Sequence, residues 1–207
     1  MVITYHGGQC FKVSFGDTTI AFDPIAKESK LSGVKFGADV AFVSLNHPNF
    51  NGADQAAHGN KAPYVVWGPG EYEVGSVTAR GFGVKTTYEG VERFNTIYQV
   101  KLEEMNMIFL GALGTAEIDP KILGEFGDID ILFVPIGGGD VLDVPQASKF
   151  AVKLEPKLII PMHYDKSALA TFLKEIGADG DIISDKLTIK KKDILEMEGE
   201  VRVLNIS

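Results

Sequence analysis

The sequence predicts an α+β fold in which two β-sheets pack face to face between outer helices, a four-layer αββα sandwich. The first half of the chain alternates short apolar runs with glycine turns, which is typical of a series of strands. The second half alternates buried strands with amphipathic helices, which indicates a parallel portion covered by helices. Because no linker or low-complexity segment interrupts the chain, residues 1–207 are expected to form one domain.

Composition and charge exclude several classes of function. The 207 residues are 45% hydrophobic and 23% charged, as in a soluble globular protein. A net charge of −8 argues against a nucleic-acid partner, because phosphates require a basic face. No apolar run approaches the length of a membrane span, and no basic segment of a signal peptide follows Met1. We therefore expect a cytoplasmic protein without a membrane partner.

The first half is predicted as strands joined by turns at glycines or at paired glutamates. The expected strands span residues 2–5, 9–15, 18–23, 39–44, 63–67, 72–82 and 92–103. Residues 27–38 are polar and are expected to form a loop, and a short helix is expected near residues 54–58.

The second half is predicted as strands alternating with helices. Asp119 followed by Pro120 is typical of a helix N-terminus, and Gly177 is typical of a helix end. The expected helices cover residues 119–126, 145–154 and 167–176, and the expected strands cover residues 130–135, 157–160, 186–190 and 201–206.

The loop at residues 45–54 is the most informative stretch for function. It follows a buried strand, and loops at strand ends hold the reactive groups of layered α/β folds. A histidine at this place, His47, suggests a metal ligand or a general base. Leu45 and Phe50, which lie on either side of it, cannot coordinate a metal.

With this loop, several short motifs resemble the metallo-β-lactamase superfamily, in particular its small bacterial metallo-hydrolase-like proteins. Each motif is weak alone, but their order and spacing are specific for the fold and cover nearly the whole chain. The resemblance implies a four-layer αββα sandwich of the metallo-β-lactamase type. The motifs lie at residues 3–11, 22–24, 68–72, 95–98, 109–114, 135–138 and 160–164.

The resemblance also implies where metal ligands would lie. The family motif after the second core strand is His-x-His-x-Asp-His, which serves two metals. The corresponding residues here are Leu45, His47, Asn49 and Phe50, so one histidine of this motif is retained. Asn49 is at best a weak neutral oxygen ligand.

The remaining family ligands are mostly replaced as well. The position of a bridging aspartate is Ala112, and no histidine lies near residues 83–87, where the family has another. The last ligand is retained as His163. Zinc requires three or four N, S or O ligands, so His47 and His163 alone leave too little affinity. We therefore expect a retained fold with a degenerate dinuclear site.

Four strand ends are expected to meet at a cleft, as in other layered α/β folds. The glycines at residues 137–139 would permit close backbone approach there, or would form a plain turn before the next helix. Asp23 either caps its turn or, as in the family, orients the metal loop. The residues expected to line the cleft are Asp23, Leu45, Asn46, Asn49, Phe50, Ala112, Gly138, Gly139 and Tyr164.

The candidate reactive side chains are His47, His163 and Asp140. Each histidine could be a metal ligand, a general base, or a ring whose nitrogens are satisfied by neighbours, and the last interpretation is favoured for His47. If the two rings face each other, they could share one metal with Asp140 or Asp165.

Three functional hypotheses follow. The leading one is a non-hydrolytic protein that acts by binding an unidentified small molecule or protein, with no cofactor. The alternative is a metal-dependent hydrolase of esters, lactones or phosphodiesters, with one zinc near His47 and His163. The third is a structural subunit of a homo-oligomer.

Overall fold

The computed structural model describes residues 1–178 and 183–207. In that part of the chain the helices are a 3-10 helix (Ala53–Ala56), α1 (Pro120–Glu125), α2 (Val144–Leu154), α3 (Lys166–Ile176) and α4 (Lys191–Ile194). Each of these helices is too short or too polar to span a bilayer. The strands there are β1 (Val2–Tyr5), β2 (Phe11–Phe15), β3 (Thr18–Phe22), β4 (Val40–Val43), β5 (Tyr64–Trp67), β6 (Gly70–Val74), β7 (Val77–Tyr88), β8 (Val91–Leu102), β9 (Met105–Phe109), β10 (Ile131–Pro135), β11 (Leu158–Met162), β12 (Ile183–Ser184), β13 (Leu187–Thr188), β14 (Glu200–Val201) and β15 (Val203–Leu204).

Most strands belong to two sheets, and β12 pairs with β15 in a small third one. The first sheet has the order β13-β1-β2-β3-β4-β5, and its last three strands run parallel. The second has the order β14-β11-β10-β9-β8-β7-β6. Strands β6 to β9 are antiparallel, whereas β9, β10, β11 and β14 are parallel. The predicted parallel portion is therefore present in the second half.

Aromatic side chains fill the space between the two sheets. Phe22 of the first sheet stacks on Phe109 of the second with ring centroids 4.6 Å apart, and Phe11 meets Phe133 at 4.8 Å. All four rings are fully buried. Burial of each ring contributes roughly 1.5–3 kcal/mol, so this layer is the main core.

The outer layers differ between the two sheets. Helices α2 and α3 cover the second sheet through the buried rings of Phe150 and Phe172. On the first sheet, small side chains such as Ala41 pack against Ala56 of the 3-10 helix. The predicted αββα fold is confirmed, with one helical turn and the adjoining loop forming the layer over the first sheet.

One lysine of the run at residues 190–192 reaches a buried carboxylate. Lys191 lies in α4 and its ammonium contacts a carboxylate oxygen of Asp130 at 2.6 Å, whereas Lys190 and Lys192 are exposed. Asp130 is almost completely buried and also accepts the backbone N–H of Asn106. A buried carboxylate requires such donors, and this requirement explains the position of Lys191.

The hydroxyl of Tyr98 joins the two sheets. It donates to the carbonyl of Val43 at 2.8 Å and accepts the backbone N–H of Gly68 at 2.9 Å. Tyr98 belongs to β8 of the second sheet, whereas Val43 ends β4 of the first. The phenol thus satisfies two backbone groups at the ends of β4 and β5.

We expect Tyr98→Phe to lower the free energy of unfolding by about 2 kcal/mol, because it removes the partner of the buried Val43 carbonyl and of the half-buried Gly68 N–H. Urea denaturation of both proteins measures this loss. Tyr64→Phe is the matched control, since Tyr64 is 55% exposed, and it should stay within about 0.5 kcal/mol of wild type. Equal stabilities for the two variants would contradict the role given to Tyr98.

Candidate functional site

The loops that sequence analysis selected do meet at one end of the sandwich. Loop 44–52 follows β4, loop 110–114 follows β9, and loop 136–143 follows β10. The β7–β8 hairpin contacts the first of these loops along its length. In the middle of β8 the amide of Thr96 donates to the carbonyl of Ser44, and near the tip Tyr88 accepts from Asn49. These are carboxyl ends of parallel strands, where layered α/β folds place their ligands.

A packed apolar cluster, here called the central cluster, fills the middle of this region. Phe50 lies against Tyr88 in a T-shaped arrangement with ring centroids 5.1 Å apart. Each member exposes 4% or less of its surface. The central cluster consists of Leu45, Phe50, Tyr88, Ala112 and Val141.

The ring of His47 is satisfied by neighbours. Its Nδ1 accepts the backbone N–H of Asn49 at 3.2 Å, so the proton of the neutral ring lies on Nε2. That nitrogen donates to the carboxylate of Glu89 at 3.3 Å. The imidazole is therefore held at the mouth of the site between a backbone donor and an acidic side chain.

His163 is held from the other side by the turn at Gly8 and Gln9. Its backbone has a φ of 52°, a conformation that bulky residues rarely adopt, and its N–H donates to the carbonyl of Gly8. The side-chain nitrogen of Gln9 lies 3.1 Å from Nδ1 and donates to it. Burial lowers the pKa of the imidazole, and the charge of Asp140 partly opposes that shift.

The two histidines flank the central cluster. The ring centroid of Phe50 lies 6.0 Å from that of His47 and 6.2 Å from that of His163. Tyr88 lies 4.9 Å from His47 and 6.3 Å from His163 by the same measure. Both imidazoles thus border the same two aromatic rings, and each acceptor nitrogen already receives a hydrogen bond from the protein.

Asp140 and Asp165, the carboxylates that were expected to share a metal with the two histidines, have other roles in the structure. Asp165 caps α3 by accepting the N–H of Ala168 at 2.8 Å. Asp140 lines a separate cleft of about 260 Å³ with Thr86 and Thr115. Asp165 therefore caps the N-terminus of α3. Asp140 lies beside the site, where its charge acts on the pKa of His163.

The glycines at residues 137–139 form a tight turn before α2. Gly138 and Gly139 have positive φ angles, and the N–H of Gly138 donates to the carbonyl of Leu142. At Gly137 an added Cβ would clash with the carbonyl oxygen of His163. Asp143 then caps α2 with a capping box. The structure thus combines both alternatives, since the turn leads into the capped helix α2 and the backbone at Gly137 closely approaches that of His163.

Asp23 is fully buried beneath the site and is bound to one residue. Its carboxylate accepts the backbone N–H of Ser44 at 2.7 Å and the Ser44 hydroxyl at 2.6 Å. Burial raises the pKa of this carboxyl to about 8, although both hydrogen bonds oppose the shift. Asp23 thus fixes the first residue of the loop that carries His47.

Asn49, at the rim, links two segments through its side chain. Its nitrogen donates to the hydroxyl of Tyr88 at 3.0 Å, and its oxygen accepts from Ser29 at 2.6 Å. Asn46 is exposed, and its carbonyl accepts from the guanidinium of Arg93 at 2.9 Å. Both asparagines therefore hold the loop in place.

Tyr164 packs away from this centre. It packs against the core between the two sheets and against the core beneath helices α2 and α3. Its ring centroid lies 6.2 Å from that of Tyr5. Burial raises the pKa of its phenol.

A metal ion would find few donors here. Leu45, Phe50 and Ala112 offer only carbon at the positions where the resemblance places ligands. Within residues 1–178 and 183–207, no three His, Cys, Asp or Glu side chains form a group suited to a metal. Because zinc binds to three or four N, S or O donors, these residues do not fit a family-type dinuclear centre.

Three residues that shape the site were missed from the sequence: Tyr88, Gln9 and Glu89. Tyr88 directly follows the segment where the resemblance places a histidine. Its position just before the Glu89-Gly90 turn could have indicated that it lies near the site. Gln9 follows two glycines near the start of the chain, which indicated a turn but gave no partner.

Comparisons with known proteins were made on both sequence and structure. Residues 2–163 match the family model described as "Beta-lactamase superfamily domain". A Listeria monocytogenes protein named a metal-dependent hydrolase is 28% identical over 196 residues, covering 80% of this chain and 86% of the relative. A Bacillus subtilis protein with the same description, YtkL, is 29% identical over 198 residues with the same coverage.

Solved structures agree in fold. A Thermotoga maritima protein of the metallo-β-lactamase superfamily, described as a candidate Zn-dependent hydrolase, superposes with a TM-score of 0.72 and 28% identity. That match covers 98% of this chain and 97% of the other. A metallo hydrolase from Ignicoccus hospitalis gives a TM-score of 0.68 at 17% identity, over 99% and 94% of the two chains.

The raised pKa of Asp23 predicts a pH-dependent difference between wild type and Asp23→Asn. Folding raises this pKa from 3.8 to about 8, so the contribution of Asp23 to stability is fully present below about pH 4. It is lost as the pH rises to about 8, by at most about 1.4 kcal/mol per pH unit. Urea denaturation of both proteins across this range measures the difference.

Asp39→Asn is the control of opposite sign. The hydrogen bond from Lys61 holds the pKa of Asp39 below its ordinary value, so its contribution is lost as the pH falls. A stability difference between wild type and Asp23→Asn that does not change with pH would contradict the account of Asp23.

Proposed function

Because the chain belongs to the metallo-β-lactamase superfamily yet has Leu45, Phe50 and Ala112 in the ligand loops, we propose that it is a non-hydrolytic member. Its dinuclear centre is degenerate, and it acts by binding or interaction. No cofactor is needed for this role. The partner is a small molecule or a protein that contacts the surface of the sandwich.

The observation that carries the proposal is the central cluster. Phe50 and Tyr88 pack against both His47 and His163 with almost no exposed surface. Tight apolar packing of this kind excludes water, which a hydrolase must bring to its metal. The cluster also connects the loops after β4, β9 and β10 with the β7–β8 hairpin, so packing holds them together.

The proposal favours action at the surface over a ligand buried at the centre. Leu45 and Phe50 are buried and fill the middle of the predicted cleft. At the rim, Asn46, His47 and Asn49 are engaged with Arg93, Glu89 and Tyr88. A partner at this surface would contact the polar groups of the rim, because the central cluster beneath them is closed.

The names of the relatives support a second candidate, a metal-dependent hydrolase. In this chain it would use one metal near His47 and His163 and act on an ester, lactone or phosphodiester. Each histidine would have to release its present hydrogen bond, to Asn49 or to Gln9, to free a lone pair. Phe50, whose ring packs against both histidines, would also have to move.

Zinc binding separates the two candidates. We expect elemental analysis after zinc dialysis to find far less than one zinc per chain, because too few donors converge. Chelator should leave the free energy of unfolding unchanged, since nothing binds the folded state preferentially. Stoichiometric zinc that is lost in His163→Ala, with chelator-sensitive hydrolysis of a generic ester or phosphodiester, would establish the hydrolase instead.

A designed variant serves as the positive control for that measurement. The combination Leu45→His, Asn49→Asp, Phe50→His and Ala112→Asp restores the residue types that the family has at these positions. It should gain zinc relative to wild type if the register given by the resemblance is right. Failure to gain zinc would count against that register.

The role of packing is tested by Phe50→Ala. We expect a loss of about 3–5 kcal/mol in the free energy of unfolding, because a buried ring at the centre of the cluster is removed. Phe94→Ala is the matched control, since Phe94 is 70% exposed, and it should change stability by less than about 0.5 kcal/mol. A similarly small effect at Phe50 would contradict a close-packed centre.

A further inference from the structure

We infer that β5 is an interaction edge, on which a second copy of this chain pairs in antiparallel orientation to extend the first sheet across a two-fold axis. The proposed function leaves this edge of the first sheet unassigned.

The outer side of β5 has free backbone groups. β5 is the last strand of the first sheet, and its neighbour there is β4 alone. The amide of Tyr64 donates to the carbonyl of Asp39, so Tyr64 and Val66 direct their backbone groups toward β4. Because successive residues of a strand direct their backbone N–H and C=O groups to opposite sides, the N–H and C=O of Val65 and the N–H of Trp67 point outward.

The side chains of β5 make this edge apolar. Tyr64 is 55% exposed, Val65 is 41% exposed and Trp67 is 53% exposed. None of these residues is charged, although the chain carries a net charge of −8. An uncharged, exposed edge strand is a template for pairing with another strand.

Among the described residues, the other edge strands of the two main sheets have the protection that β5 lacks. β6 presents two exposed glutamates, Glu71 and Glu73. β13 is only two residues long and has Lys186 before it. β14 is equally short, and its Glu200 pairs with Arg202. Charges and short edge strands are the usual means of preventing edge-to-edge association.

The backbone pattern of β5 is complementary to itself. A two-fold axis at Val65 places the Val65 residues of both copies opposite each other, where they can exchange two N–H···O bonds. Trp67 of each copy then lies opposite Pro63 of the other. Pro63 has no N–H to donate, and the carbonyl of Trp67 lies 3.5 Å from the hydroxyl of Tyr72. The remaining donor, the Trp67 N–H, meets the remaining acceptor, the Pro63 carbonyl.

The paired strands bring no like charges together, because residues 63–67 of both copies are uncharged.

Oligomeric state tests the inference directly on the full chain. We expect sedimentation equilibrium of the wild type to give twice the chain mass of 22.4 kDa. Val65→Lys places two ammonium groups opposite each other at the axis and should give the mass of one chain over about a hundredfold range of concentration. Val91→Lys is the control, because Val91 is 50% exposed, and it should remain dimeric.

Two local measurements identify the strand involved. Hydrogen exchange should show the amides of Val65 and Trp67 protected in wild type and unprotected in Val65→Lys, with those of Tyr64 and Val66 protected in both. Trp67 is the only tryptophan of the chain, so its emission should shift to the blue as wild type is concentrated. Val65→Lys should show no such shift.

A monomeric wild type, or a Val65→Lys variant that stays dimeric, would overturn the inference. Circular dichroism and urea denaturation of Val65→Lys establish that it is folded. The zinc measurements are independent of these results, because no residue of the central cluster lies on β5. Failure of the edge pairing and failure of the proposed function are therefore distinguishable.

Discussion

The contact between Phe50 and Tyr88 is the interaction on which the site depends. One ring comes from the loop after β4 and the other from the end of β7, so their contact joins the two sheets at their functional end. His47 and His163 both pack against these rings. Dispersion forces and apolar burial therefore hold these loops together.

An apolar centre also changes the electrostatics of the residues around it. Burial raises the pKa of Asp23 to about 8, so its carboxyl is largely protonated at neutral pH. Burial lowers the pKa of His163, so its ring is neutral there as well. A region that holds neutral forms of both residues is compatible with the packed rings beside it, because no unpaired charge is left in an apolar environment.

The fold could be predicted from the sequence to a large extent, because strand and helix periodicities and turn residues are local signals. Gly90 and the pair Glu103 and Glu104 mark the turns between β7, β8 and β9 as expected, whereas a turn at Gly75 divides the segment expected as one strand at residues 72–82 into β6 and β7. The contacts of the site were less accessible. Tyr88 reaches the centre only because a long hairpin bends back, and Gln9 reaches His163 across 154 positions of sequence. Such pairings depend on tertiary geometry, which periodicity does not encode.

The filled centre and the apolar edge strand are connected through β4. The hydroxyl of Tyr98 donates to Val43, the last residue of β4, and accepts from Gly68, the residue that follows β5. The Tyr98 hydroxyl therefore links the end of β5, where a second chain would pair, to β4, the strand that leads into the His47 loop. Close packing transmits small displacements through such contacts. An interaction at the β5 edge thus has a short physical route to the rim at Asn46, His47 and Asn49, where the proposed function places recognition.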